Sequence, residues 1–65
     1  MKSYIIFKPL SGNEFEPVPA RGKNLTDAVQ KVCRIQRKHV KRLPNQYGIA
    51  YFNVRGRILA VKRIH

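Results

Sequence analysis

The chain has 65 residues, room for one domain and too little for a pocket-walled metabolic enzyme. Hydrophobic residues make up 43%, which excludes a disordered basic tail, yet no apolar run approaches the ~20 residues of a membrane span. Lys and Arg number 14 against 3 Asp and Glu, a formal net charge of +11, and a folded domain with that balance is expected to meet a polyanion.

Tyr4-Ile5-Ile6-Phe7 is β-branched and aromatic and reads as a strand. The segment around it lacks the length and cleavage site of a signal peptide. Pro9 to Asn13 is dense in turn formers. Residues 14–20 read as a second strand carrying Pro17 and Pro19. Two residues apart, both missing amides fall on the same side, so this is expected to be an edge strand with its outer rim blocked.

Arg21-Gly22-Lys23 reads as a loop, Asn24 as a helix N-cap, and Asp27 as the third helical residue, where a carboxylate complements the dipole. The predicted helix runs from Leu25 to His39 or Lys41. Leu25, Ala28, Val29, Val32, Cys33 and Ile35 share one arc, interrupted by Gln36. Lys31, Arg34, Arg37, Lys38 and Lys41 share the other, and Pro44 is expected to end the helix with Leu43 already extended.

Residues 48–54 and 57–64 form the clearest strand pair, joined by Arg55-Gly56. A two-residue X-Gly loop fits a tight hairpin that sets Phe52 opposite Leu59 and Ala50 opposite Val61 on one face. Tyr51, Asn53, Ile58, Ala60 and Lys62 take the other. The expected fold is a small two-layer α+β domain, β-β-α-β-β, with one amphipathic helix packed on an antiparallel sheet. The strands are apolar on both faces, and one helix covers one face. A second copy of the chain is the cheapest candidate for the other, which would make a homodimer.

The charge is uneven. Glu14, Glu16 and Asp27 all precede residue 28, and with Lys2, Lys8, Arg21 and Lys23 that part nets +1; from residue 28 onward there are ten bases and no acid. Helical spacing would set Lys31, Arg34, Arg37, Lys38, Lys41 and Arg42 in a ladder about 5–6 Å apart, suited to successive phosphates. Arg55, Arg57, Lys62 and Arg63 would arm the hairpin for a nucleic-acid groove or backbone. Tyr47 and Tyr51 are the candidates for stacking on bases.

Catalytic signals are missing from the sequence. Cys33 lies on the apolar arc and reads as a small core residue. One cysteine and the histidines His39 and His65 give no metal-ligand spacing and no disulfide. Asp27, the sole aspartate, is spent on a helix cap, and the four glycines are scattered turn residues with no phosphate-cradling loop. No cofactor is called for. The helix lacks aromatic anchors, and the core needs its apolar face, which argues against a membrane surface.

Phe15-x-x-Val18-Pro19, a short loop and Leu25-x-Asp27-Ala28-Val29 resemble the strand-to-helix join of small phage and bacterial domains, among them the small RNA-polymerase inhibitors of T7-type phages. The resemblance is confined to those residues. It implies a phage or mobile-element accessory protein; the lone cysteine and the lack of a signal peptide or membrane span make the cytoplasm of a bacterial or infected cell the expected location. The leading expectation is a non-enzymatic protein binding DNA or RNA through phosphates. The alternative is a small inhibitor or adaptor that docks on an acidic surface of a host protein.

Overall fold

The computed structural model describes residues 1–64. Five strands and one helix follow the chain: β1 (Lys2–Pro9), β2 (Phe15–Gly22), α1 (Leu25–Cys33), a 3-10 turn (Arg37–His39), β3 (Val40–Gln46), β4 (Ile49–Val54) and β5 (Arg57–Ile64). The strands form one antiparallel sheet in the order β2-β1-β5-β4-β3. The α+β class and the helix on one face of an antiparallel sheet are as expected. A fifth strand, β3, is added.

Strand alternation sorts the side chains. Tyr4, Ile6, Ala50, Phe52, Val54, Leu59 and Val61 point to the helix and form the core with Ala28 and Val29. The expected hairpin register holds, with Phe52 opposite Leu59 and Ala50 opposite Val61. Arg55 (φ 53°) and Gly56 (φ 85°) both take left-handed backbone, the type I′ geometry that suits strand twist. The Asn53 Oδ1 accepts a hydrogen bond from the Gly56 amide at 2.9 Å. A second turn of the same kind, Tyr47 (φ 52°) and Gly48 (φ 75°), joins β3 to β4.

β2 is an edge strand, as its prolines foretold. Pro17 and Pro19 stand opposite Phe7 and Ile5. The strand runs two residues beyond its expected end, so Gly22 is not in the loop. It is buried at the last position of β2, where the backbone of Ala28 comes close. At the helix start, the Asp27 amide donates to Asn24 Oδ1 at 2.8 Å. The Asp27 carboxylate accepts from the Lys23 amide, also at 2.8 Å, one residue before the cap.

The helix is shorter than its periodicity suggests. It ends at Cys33, because Arg34 turns left-handed (φ 54°). The amides of Arg34 and Ile35 both donate to the Gln30 carbonyl, and Ile35 is folded back onto the core, the usual hydrophobic companion of such an end. Gln36 therefore interrupts no helix; its carbonyl accepts from the His39 amide in the 3-10 turn. Beyond it Val40, Lys41, Arg42 and Leu43 pair with β4. That pairing is the physical reason for the departure: β4 is apolar on both faces and would otherwise expose a bare edge. Pro44 lies within β3 and ends no helix; an edge strand tolerates it, and the register shifts between Leu43 and Gln46. Leu43 is extended, as expected.

Candidate nucleic-acid interface

The short helix rearranges the predicted basic ladder. Only Lys31 is within α1, with Arg34 as its C-cap. Arg37 and Lys38 belong to the 3-10 turn, and Lys41 and Arg42 to β3. The six cations therefore share no helical face. In a strand, neighbours point to opposite sides, so Lys41, paired with Asn53, lies on the open face and Arg42, paired with Phe52, on the helix side.

All ten candidate cations are exposed, and they fall into groups. Arg37, Lys38, Lys41 and Arg42 follow one another along the 3-10 turn and the outer edge strand β3. Arg37 also borders a shallow hollow with Lys23, Asp27 and Gln30. Lys31 and Arg34 mark the last turn of α1 and its end. Arg55 forms the tip of the β4–β5 turn and Arg57 opens β5. Lys62, paired with Ile5, lies on the open face, and Arg63, paired with Tyr4, on the helix side. The tyrosines separate as well. Tyr47 sits fully exposed at its turn, while Tyr51 is half-buried on the open face between Leu43 and Ala60.

The acids are few and placed apart. Glu16 is on β2, Glu14 precedes it, and Asp27 is in the first turn of α1. Among the described residues the one ion pair joins Lys31 Nζ to Asp27 Oδ2 at 3.3 Å. The Lys23 amide bond, helped by Lys31, holds the Asp27 carboxyl below the ordinary aspartate range. Burial pushes the Cys33 thiol up, against a smaller pull from Lys8; it packs at the margin of the core. No three His, Cys, Asp or Glu side chains among the described residues could hold a metal ion. No helix is long and apolar enough to cross a membrane.

One feature escaped the sequence reading. Strand pairing aligns Pro17, Phe7, Ala60, Tyr51 and Leu43 in one row across the open face. Phe7, Phe15, Tyr51, Ile58 and Ala60 line a depression of about 280 Å³ there. Apolar alternation flags each strand's outer face, but which strands are neighbours is not written in any one of them. Compared with known proteins, the chain matches no family model, no curated protein and no solved structure.

Proposed function

We propose that this chain is a small non-enzymatic nucleic-acid-binding protein, an accessory or regulatory component of phage or mobile-element type. Arg37 and Lys38 of the 3-10 turn and Lys41 and Arg42 of β3 hold phosphates, joined by Lys31 and Arg34 at the end of α1, Arg55 and Arg57 at the turn, and Lys62 and Arg63 on β5. One observation carries this reading: a net charge of +11 is relieved internally by a single ion pair among the described residues. Uncompensated cations repel one another and cost stability; a polyanion removes that cost and releases its counterions.

The test is the salt dependence of binding. Engaging about five to seven phosphates gives a slope of log K against log salt of about −5 to −6 on duplex DNA and about −3.5 to −5 on a single strand. A slope shallower than about −2 defeats the mechanism. Replacing Arg37, Lys38 and Lys41 together with Ala lowers affinity and leaves the thermal transition in place.

A second reading has its own observation. The apolar open face, with Phe15 55% and Ile58 44% exposed, suits the core of a protein interface. On that reading the chain is an adaptor on an acidic host protein, and the cations speed its association. Pull-down after nuclease treatment separates the two, because a protein partner survives the nuclease.

A further inference from the structure

We infer that the open face of the sheet is a platform for unpaired nucleotides, so that the ligand is single-stranded. This rests on the nucleic-acid reading above and names the form of the polyanion. The helix covers the other face. On the open one, Phe7 of β1 and Tyr51 of β4 flank Ala60 of β5 in register. With strands about 4.8 Å apart, the two aromatic residues stand roughly 10 Å from each other. The small Ala60 between them floors the depression of about 280 Å³ whose outer wall includes Phe15 and Ile58.

The same face carries Arg21, Lys41 and Lys62, each registered with an open-face neighbour, and no acid: Glu16 is paired with Lys8 on the helix side. An occupant must therefore be anionic and also present flat apolar surface. Unpaired nucleotides do both, because every base has a π-face and every link a phosphate. A duplex hides its base faces. A second copy of this chain would oppose two faces that each carry Arg21, Lys41 and Lys62 and no acid to pair with them, within a pair of molecules each at +11.

The experiment is fluorescence anisotropy with a labelled oligothymidylate of about 16 nucleotides, the upper site size of a comparable platform, and a mixed-sequence duplex of equal length. The full chain binds the single strand more tightly. Phe7→Leu and Tyr51→Leu, which keep a branched apolar side chain against the sheet, each weaken single-strand binding by about 5- to 150-fold, the range of a lost base stack. They leave duplex binding and the thermal transition unchanged.

Equal or tighter duplex binding, with both variants silent, overturns the platform and leaves the nucleic-acid reading standing. No binding of either probe, or binding without salt dependence, overturns both. A dimer in sedimentation equilibrium that Ile58→Asp disperses puts a second copy on this face and overturns the platform as well.

Discussion

The guanidinium carbon of Arg42 stands 5.7 Å from the centroid of the Phe52 ring, at the cross-strand position that pairs β3 with β4. Phe52 has no exposed surface, and Arg42, on the helix side of the edge strand, helps to cover its ring. Its Nη2 also donates to Asn45 Oδ1 at 3.3 Å. A cation over an aromatic face at an exposed site contributes about 0.5–1 kcal/mol, and the methylenes add packing. Arg42→Ala is expected to cost about 1 kcal/mol, lowering Tm by roughly 4–8 °C in a domain this size. An unchanged thermal unfolding midpoint would make the contact incidental to stability.

Gly22 sets how closely the helix lies on β2. A Cβ added there would stand 2.8 Å from the Ala28 nitrogen and 3.1 Å from its Cα. Both are backbone atoms in the first turns of α1, so the strain cannot be relieved by rotating a side chain. Gly22→Ala must lift the helix or bend the strand, an overpacking cost of about 1–3 kcal/mol. Urea titration of the variant reads this as a lower midpoint at unchanged slope. A midpoint equal to that of the parent would mean that the helix has room to shift.

Much of this architecture is legible in the chain, and the part that is not has a specific cause. Arg55-Gly56 fixes the β4–β5 register, because a two-residue X-Gly turn leaves few alternatives. Pro17 and Pro19 mark β2 as an edge, because a residue without an amide cannot serve a central strand. Asn24 marks the start of the helix. Its end carries no such mark. Arg34 takes the left-handed position usually given to glycine, and nothing in its side chain announces it. Cations placed every three or four residues then look like a helical face, though Lys41 and Arg42 are strand neighbours on opposite sides. The row joining Phe7, Ala60 and Tyr51 depends on β5 lying between β1 and β4, a long-range pairing invisible to local pattern.

Asp27 gives the fold a pH dependence of known sign. Its carboxylate accepts the Lys23 amide and faces Lys31, and these partners favour the charged form, lowering its pKa in the folded state. A group depressed in this way stabilises the fold fully above its unfolded pKa of about 3.9. The contribution disappears as the pH falls through the lower folded value. Asp27→Asn keeps the shape and removes the charge. Parent and variant are expected to converge in stability in that acid window and diverge above it, as read from thermal melts across the range. Parallel curves would show that the ionised carboxylate contributes nothing.

Cys33 is expected to be slow to alkylate. Burial raises its thiol pKa, and a thiol reacts as the thiolate. Iodoacetamide at neutral pH should modify the native chain several-fold more slowly than the chain in urea. Equal rates would place the sulfur in solvent and contradict its packing beside the core.

The two type I′ turns hold side chains where backbone geometry disfavours them. Tyr47 and Arg55 sit at φ 52° and 53°, a region that costs a residue with a Cβ on the order of 1 kcal/mol and that asparagine enters more readily. Tyr47→Asn and Arg55→Asn are each expected to raise the thermal midpoint. Their binding consequences should differ. On the proposed nucleic-acid reading Arg55→Asn removes a phosphate contact, and the salt slope is then expected to shrink by about 1 at every probe sequence. Tyr47 is fully exposed at the tip and carries no charge, so its ring can stack and its hydroxyl can hydrogen-bond, but neither releases a counterion. Tyr47→Asn should therefore leave the slope alone and lower single-strand affinity if the tip reaches the ligand. If the variant is stabilised with affinity untouched, the tyrosine lies outside the proposed interface.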